Sequence, residues 1–486
     1  MNYKFNEGFY WGTAISALQT EGTHEGDGKS DTTFDVWFKK EPERFFGGEG
    51  NKVAVDFYHM YDEDIKMMKK MNHNSFRFSI AWSRLIPNGD GIVNEKAVKY
   101  YNDLINKLLD NGIEPFVCLF HFDMPWIMQE KGGWESLDVV DKYKEYAEIA
   151  FRLFGDRVKK WFTHNEPIVP IEGSYIYGFH YPIIKDLKRG VKATYYTILS
   201  SAKAVEVFKR LRKDGVLRSD STIGTILSMS PVYPRDYNNK EDVKASEICK
   251  LFFTNSFLDP MVKGEFNREL VELLKKYNLL EEFYTQEELE LIKNNTIETL
   301  GFNYYFPRRV KAKEHISGGK VESPEYFFEH YEMPNRIFNK DRGWEIYPEG
   351  IYDILIMLRD EYDNIPVYIS ENGIGRYKGD IEDMDDAGFI HDDARIEFVK
   401  EHLKWIWRAQ NEGSNVFGYH MWSLMDNWSM SNAFKNKYGF VHVDRENGLK
   451  RSLKKSGYWY GDVSKNNGFL NKDTRFYINL VSLFVF

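Results

Sequence analysis

The sequence has few cysteines, no long apolar run and no basic stripe, and each absence argues against a class of protein. Only Cys118 and Cys249 occur among 486 residues, too few for a disulfide framework. No apolar run approaches the roughly 18 residues that a membrane span needs. The net charge is −9 with both signs spread along the chain, which argues against nucleic-acid binding. We therefore expect neither a membrane nor a nucleic acid as a partner.

Two further absences concern location and metals. The N-terminus, MNYKFNEGFYWG, lacks the basic-then-apolar layout of a signal peptide. Together with the low cysteine count, this predicts a cytoplasmic protein. No His-x-x-x-His spacing occurs, and His121 stands alone beside Asp123, so no metal or cofactor is expected. Whether the chain forms a homo-oligomer stays open.

Eight short runs rich in β-branched and aromatic residues recur along the chain, with helical patterns between them. Most are continuously apolar rather than alternating, which is typical of strands buried on both faces. One helical segment, 94–112, opens on a capping asparagine and closes on Asn-Gly. The runs are FYWGTA (9–14), SFRFSI (75–80), PFVCLF (115–120), KWFTH (160–164), TIGTILS (222–228), TLGFNYY (299–305), PVYIS (366–370) and VFGYHMW (416–422).

The alternation of strands and helices predicts a parallel sheet, and eight units favour a closed barrel over an open sheet. No linker rich in Pro, Gly or Ser divides the chain. We therefore predict an α/β fold, a single (β/α)8 TIM barrel domain over residues 1–486. The extra length falls in long loops after the strands, at the C-terminal face where such barrels perform chemistry. An apolar tail, about residues 470–486, has no assigned role.

Polar and aromatic side chains gather where the predicted strands end. Because parallel strands of a barrel end at one face, these side chains are predicted to line one cavity. Taken singly, each has a structural explanation, such as a core histidine at His121 or a turn cap at Asn165. Their convergence favours a shared site. The set is Arg77, His121 with Asp123, Asn165 with Glu166, Asn303 with Tyr305, Glu371 with Asn372, Trp422, and Gln19 shortly after the first strand.

Glu166 and Glu371 are the only glutamates in this set, on the fourth and seventh predicted strands. Across a barrel these strand ends face each other over the cavity. Two carboxyl groups flanking a cavity rich in amide, imidazole and indole groups indicate glycoside hydrolysis. One carboxyl must be protonated to expel the leaving oxygen, and the other must be ionised to attack the anomeric carbon.

Two motifs resemble those of glycoside hydrolase family 1, the β-glucosidase family. THNEP (163–167) is similar to its acid/base motif Thr-x-Asn-Glu-Pro, and YISENG (368–373) to its nucleophile motif, with Ser370 for the usual threonine. The resemblance covers residues 7 to 460 and implies a (β/α)8 barrel and a retaining β-glycosidase. Further segments that match in the family's order are FYWGTAISALQTEG (9–22), RFSIAWSRLIP (77–87), FHFDMPWIM (120–128), GWEIYPEGIYDIL (343–355) and YHMWSLMDNW (419–428).

The resemblance also implies individual roles. Glu166 is expected to be the acid/base and Glu371 the nucleophile, which Arg77 and Tyr305 would keep ionised. Glutamine at position 166 would have indicated the thioglucoside-cleaving branch instead. The expected sugar contacts are Gln19, His121 and Asn165 for the hydroxyls, Trp422 for the floor of the glycone site, and Trp344 and Trp126 on the aglycone side.

The segment MDNWSMSNAFKNKYGF (425–440) bears on the charge of the sugar. Where members acting on plain sugars carry Asp-Asn-Phe-Glu-Trp, this chain has Ser429 in place of the glutamate. A carboxylate about 4 Å from a 6-phosphate would repel it by roughly 4 kcal/mol per unit charge, and serine removes that repulsion. The 6-phospho-glycosidase branch has lysine and tyrosine seven and nine places on. Tyr438 matches the tyrosine, whereas Asn436 occupies the lysine position.

We therefore predict a 6-phospho-β-glucosidase acting on phosphorylated cellobiose or aryl β-glucosides. Asparagine in place of lysine at position 436 would weaken phosphate binding by about 1.5–3 kcal/mol unless Lys435 or Lys437 supplies the charge. Met430 stands where phospho-galactosidases have tryptophan, which favours glucosides. Two alternatives stay open: a β-glucosidase for unphosphorylated sugars and a 6-phospho-β-galactosidase. A non-catalytic sugar-binding barrel is disfavoured, because both glutamates are present.

Overall fold

A closed barrel of eight parallel strands forms the centre of the computed structural model, which describes residues 2–315 and 319–470. We number these strands β1 to β8 in chain order. Each pairs with its neighbours in sequence, and β8 closes on β1. The eight predicted strands and the (β/α)8 fold are confirmed. The strands are β1 Tyr10–Ala14, β2 Ser75–Ser79, β3 Glu114–Phe120, β4 Lys160–Asn165, β5 Thr222–Ser228, β6 Thr299–Asn303, β7 Val367–Asn372 and β8 Val416–Trp422.

Helices surround the barrel, and those that pack directly on it bury one apolar face. In the helix Glu95–Asp110, for example, Tyr101, Ile105 and Leu108 recur at helical spacing and are buried, and the Asn94 side chain caps the first turn. The longer helices are Phe57–Lys70, Glu95–Asp110, Leu137–Phe154, Leu187–Lys213, Lys240–Lys250, Ser256–Val262, Arg268–Lys276, Gln286–Asn294, Glu349–Glu361, Asp393–Asn411 and Lys455–Asn466.

Shorter elements occupy the loops and the two ends of the described chain. One further helix, Thr33–Lys40, lies in the first long loop, and the short helical turns are Ala17–Thr20, Pro42–Arg44, Phe46–Gly48, Trp82–Leu85, Trp126–Glu130, Gly133–Glu135, Ile168–Ile171, Glu172–Tyr177, Leu251–Asn255, Pro324–Tyr326, Gly379–Glu382 and Met430–Asn432. The short strands are Asn2–Lys4 with Gly468–Leu470, Val232–Pro234 with Arg308–Lys311 and Glu329–His330, Phe338–Asn339 with Trp344–Glu345, and Val441–Asp444 with Lys450–Leu453. Residues 471–486 of the apolar tail lie outside the described residues. In the described part of the chain, no helix is long and apolar enough to cross a membrane.

Apolar side chains fill the barrel below the level at which the strands end. Phe116, Cys118, Phe162, Ile226 and Tyr368 form one buried cluster contributed by β3, β4, β5 and β7. Because the strands are parallel, residues early in each strand lie toward the same closed end of the barrel. The side chains that follow the strand ends lie at the opposite, C-terminal face.

Buried ion pairs hold the first long loop over the barrel. Arg84 is fully buried and donates from Nε to Glu21 at 2.8 Å and from Nη1 to Asp27 at 2.7 Å. Both carboxylates are also buried. Removing the cation would leave two carboxylates without a counter-charge in a medium that solvates them poorly.

We predict that Arg84→Met lowers the free energy of unfolding by about 3–5 kcal/mol, because it strands Glu21 and Asp27. Urea unfolding monitored by tryptophan fluorescence measures the change. Arg268→Gln is the matched control, since it removes an arginine from the exposed ion pair with Glu272 and should cost less than about 1 kcal/mol. Equal losses in the two variants would contradict the prediction.

Candidate active site

Glu371 lies near the end of β7 with a donor on each carboxylate oxygen. Arg77 donates from Nη2 to Oε1, and the Tyr305 hydroxyl donates to Oε2 at 2.7 Å. Glu371 is 4% exposed and Arg77 is fully buried. Burial raises the pKa of Glu371, while the charge of Arg77 and the hydrogen bond from Tyr305 oppose that rise. The predicted partners of Glu371 are therefore in contact with it, although Arg77 lies in the middle of β2 rather than at its end.

Glu166 follows β4 in a conformation that is rare for residues other than glycine, with φ of +46°. Its N–H donates to the carbonyl oxygen of Ile226 on β5 at 2.8 Å. The β4–β5 register shifts between Phe162 and Asn165, immediately before this turn. Such a backbone conformation persists only when the surrounding structure holds the residue in place, and it is common at functional sites.

The proton affinity of Glu166 is far from that of an ordinary glutamate. Burial and the negative charge of Glu371 raise the pKa of Glu166 to about 8, and hydrogen bonds with Asn303 and Ser228 only partly oppose this. Ser228, Asn303 and Glu371 occupy the same level on β5, β6 and β7, so these groups surround one point. The cavity therefore holds one carboxyl that is protonated at neutral pH beside one that is paired with a cation.

Asn165 links several strands at the bottom of the cavity. Its Oδ1 accepts from Arg77 at 2.8 Å and from Asn303 at 3.2 Å, and its Nδ2 contacts His121 Nε2 at 3.1 Å. The His121 ring stacks on Trp422 with centroids 5.7 Å apart. Burial and the charge of Arg77 hold the pKa of His121 well below its usual range, so the imidazole is neutral. Side chains from β2, β4 and β6, and His121 directly after β3, thus meet in one hydrogen-bonded group, and Trp422 at the end of β8 stacks on it.

Gln19 and Trp344 lie at two sides of this group. Gln19 is buried, donates to the Trp428 carbonyl oxygen at 2.9 Å and accepts from Ser16 at 2.8 Å. Trp344 is half-buried and lies against Tyr305 with ring centroids 5.3 Å apart. Trp126, the other tryptophan predicted on the aglycone side, packs against Tyr181 at 5.9 Å. The structure thus brings Trp344, but not Trp126, into ring contact with a partner of Glu371.

The loop 425–440 brings three of the predicted residues to the C-terminal face. Ser429 is half-buried, and its N–H donates to the Ala433 carbonyl oxygen at 2.6 Å. Tyr438 is buried in a cluster with Trp422 and Tyr305. Asn436 is 1% exposed, yet neither its Oδ1 nor its Nδ2 has a hydrogen-bond partner among the described residues. Because buried amides are almost always paired, Asn436 indicates a place for a polar ligand.

Two strand-end residues have structural contacts instead. Asp123 accepts from the His121 backbone N–H at 3.1 Å. Asn372 donates to the Tyr304 carbonyl oxygen at 2.7 Å and accepts from the Tyr419 hydroxyl at 2.9 Å. Both therefore position their neighbours. Sequence reasoning missed Ser228, the last residue of β5, because a serine in an apolar strand carries no distinctive signal.

Two clusters in the described chain have the spacing of metal ligands. In the group Asp380, Asp426 and His442, the Lys454 ammonium lies 2.7 Å from Asp380 and 3.0 Å from Asp426, so a cation is already present. The other cluster, His24, Asp56 and His59, lies near the surface. Neither cluster includes a carboxyl group of the cavity.

Comparisons with known proteins agree with this geometry. The model of glycosyl hydrolase family 1 matches residues 1–469. A 6-phospho-beta-glucosidase of Bacillus subtilis is 53% identical over 96% of this chain and 99% of the relative. Beta-glucosidase A of Acetivibrio thermocellus is 37% identical over 96% and 99%. The solved structure of a family 1 β-glucosidase from Thermotoga maritima superposes with a TM-score of 0.87, at 34% identity, and covers 97% of this chain and 100% of that one. The chain therefore belongs to glycosyl hydrolase family 1.

Proposed function

We propose that this protein hydrolyses 6-phospho-β-glucosides with retention of anomeric configuration. The observation that carries the proposal is the contrast between the two carboxyl groups of the cavity. Glu371 is bound through both oxygens by Arg77 and Tyr305, whereas burial and the charge of Glu371 raise the pKa of Glu166 to about 8. Such a pair supplies a nucleophile and a proton donor at the same pH.

In the first step the ionised Glu371 attacks the anomeric carbon, and Glu166 donates its proton to the departing glycosidic oxygen. The Tyr305 hydroxyl and Arg77 orient the nucleophile from its two oxygens. Once Glu371 is esterified its negative charge is gone, so the contribution that it made to the raised pKa of Glu166 disappears. Glu166 can then accept a proton from the water that hydrolyses the ester.

The other side chains of the cavity would bind the sugar. The amides of Gln19 and Asn165 and the neutral His121 offer donors and acceptors for hydroxyl groups, and Trp422 offers a flat apolar face. Trp344 would contact the aglycone, because its ring lies beside that of Tyr305, which donates to Glu371. Each of these roles is supported by the position of the side chain and by its chemistry.

Phosphate specificity is supported by the loop 425–440 and by the B. subtilis relative. Ser429 presents no negative charge to a 6-phosphate, and the Tyr438 hydroxyl and the unpaired amide of Asn436 can donate to one. The relative at 53% identity carries the name 6-phospho-beta-glucosidase. The main competing function is hydrolysis of plain β-glucosides, which Asn436 at the expected lysine position favours.

Replacing the nucleophile tests the mechanism. Glu371→Gln keeps the size of the side chain but removes the attacking charge, so we expect kcat to fall by at least about a thousandfold. Binding of the 6-phosphoglucoside, measured by calorimetry, should persist. Glu349→Gln, at the start of the helix Glu349–Glu361, is a control that should leave kcat within about twofold. Undiminished hydrolysis by Glu371→Gln would falsify the assignment of Glu371 as the nucleophile.

The raised pKa of Glu166 predicts a specific pH dependence of activity. If Glu166 must be protonated before the first step, kcat/KM should fall as pH rises through about 8. In Glu166→Gln this basic limb should disappear, with kcat reduced a hundredfold or more for a poor leaving group. Initial rates with a methyl and a 4-nitrophenyl aglycone measure both effects, since only the poor leaving group needs the proton strongly.

The same pKa also predicts a pH-dependent stability difference. A carboxyl whose pKa is raised in the folded state stabilises that state fully below its unfolded pKa, near 4.5, and the stabilisation is lost as pH rises through about 8. Relative to Glu166→Gln, the wild type should therefore lose up to about 1.4 kcal/mol of unfolding free energy per pH unit between these limits. Urea unfolding at several pH values measures this, and Glu247→Gln, at an exposed glutamate, should show no such trend.

Phosphate specificity is tested with 4-nitrophenyl β-glucoside and its 6-phosphate, with the galactoside pair alongside. We expect the wild type to favour the phosphorylated glucoside by at least a hundredfold in kcat/KM. Ser429→Glu should lower that preference by two to three orders of magnitude, because a carboxylate about 4 Å from the phosphate costs roughly 4 kcal/mol per unit charge. Ser429→Gln is the neutral control of the same size. Equal or better turnover of the plain glucoside by the wild type would make the protein an ordinary β-glucosidase.

A further inference from the structure

A 6-phosphate brings a charge of nearly −2 into a largely buried pocket, so the pocket needs a cation. The two lysines of the loop 425–440 that flank Asn436 are both less buried than Asn436 itself. Burial alternates along this segment, with Asn436 and Tyr438 buried and Lys435 and Lys437 half-buried. The Lys435 ammonium lies over the rings of Phe46 and Tyr377, 5.5 Å from each centroid. The residue that shares the buried side with Tyr438 is thus the neutral Asn436.

The segment 373–377, which follows β7, connects the loop 425–440 to the loop after β6. The N–H and carbonyl of Arg376 exchange hydrogen bonds with Lys437 at 3.0 and 2.9 Å. Asn339, in the loop after β6, donates from Nδ2 to the Gly375 carbonyl oxygen at 2.7 Å. Gly375 packs so tightly on Tyr438 that a Cβ atom there would lie 2.7 Å from its hydroxyl oxygen. The loop that carries Asn339 is therefore held next to Tyr438.

Arg342 lies on that loop, between the short strands Phe338–Asn339 and Trp344–Glu345. Its guanidinium carbon is 4.1 Å from the ring centroid of Trp344, a distance typical of cation–π contacts. Its Nε is buried without a hydrogen-bond partner, and it forms no ion pair with a carboxylate in residues 2–315 or 319–470. The charge of Arg342 also opposes the rise that burial causes in the pKa of Tyr438, which is consistent with its being close to the phenol. A half-buried cation, whose Nε atom has no hydrogen-bond partner, thus stacks on Trp344 in the loop that is held next to Tyr438.

We propose that Arg342 is the cation that binds the 6-phosphate, together with the Asn436 amide and the hydroxyls of Tyr438 and Ser429. This inference rests on the proposed function, since it requires a phosphorylated substrate. A guanidinium can bind two phosphate oxygens at once, and its stacking on Trp344 fixes its plane. A neutral residue at 436 then leaves room for a cation that arrives from another loop.

The test compares kcat/KM for 4-nitrophenyl β-glucoside 6-phosphate with that for the plain glucoside in Arg342→Gln. Both substrates have the same aglycone, so any disturbance of Trp344 affects both values and cancels in their ratio. We expect the ratio to fall ten- to a hundredfold, mainly through KM for the phosphorylated substrate. Lys435→Gln, which removes a cation stacked on Phe46 and Tyr377, should change the ratio less than threefold.

Adding Asn436→Lys to Arg342→Gln provides a second measurement, because it introduces a cation at the neighbouring buried position. We expect the double variant to have a ratio at least tenfold above that of Arg342→Gln alone. A wild-type ratio in Arg342→Gln, or no recovery in the double variant, would overturn the role of Arg342 while leaving the proposed function intact. A wild type without any preference for the phosphorylated substrate would overturn both. If Arg342→Gln does not fold, Arg342→Lys decides: a three- to tenfold lower ratio is expected, and an unchanged ratio contradicts bidentate binding.

Discussion

The contact between Arg77 and Glu371 is the constraint around which the C-terminal face of the barrel is organised. Arg77 is fully buried in the middle of β2, where an unpaired guanidinium would cost several kcal/mol. It is stabilised by Glu371 on β7 and Asn165 on β4, and Asn165 in turn binds Asn303. Pairs of this kind require correct strand register around the barrel, because a shift by one residue would turn a side chain to the other face. In the proposed mechanism, structural and catalytic requirements therefore coincide at this point.

The same buried environment separates the proton affinities of the two glutamates. Desolvation raises the pKa of both, but only Glu371 has a cation within hydrogen-bonding distance. Glu166 instead experiences the negative charge of Glu371, which adds to the effect of burial. The left-handed backbone at Glu166 is tolerated because its N–H is bonded to Ile226 on the adjacent strand. A strained residue at the mouth of a rigid strand is thus positioned by the barrel itself.

In the proposed function, discrimination among sugars belongs to the loops rather than to the strands. The group around Glu371 and Asn165 is built on the barrel, and its proposed role is common to all β-glycosides. Ser429, Asn436 and Tyr438 come from one loop, and Arg342 and Trp344 come from another that is joined to it through the segment 373–377. The unpaired amide of Asn436 is buried where these loops meet. In the proposed function, a change in either loop can therefore alter which substituent at the sixth carbon of the sugar the enzyme accepts. Relatives named β-glucosidase and 6-phospho-beta-glucosidase on one fold are consistent with this division.

The sequence by itself determined the eight strands, the closed barrel, the family and the two glutamates, because these depend on local apolar patterns and on motifs of consecutive residues. It also predicted Ser429, Asn436 and Tyr438 as the residues that bear on a phosphate, which stays a prediction. Only the tertiary structure decided that Asp123 and Asn372 have structural contacts, that Lys435 lies over Phe46 and Tyr377, and that the loop of Arg342 is held next to Tyr438 through Asn339 and Gly375. Arg342 and Tyr438 are about a hundred residues apart in the chain. The loops that carry them are held together by the hydrogen bond from the Asn339 side chain to Gly375 and by backbone hydrogen bonds between Arg376 and Lys437, and such contacts leave no trace in local sequence.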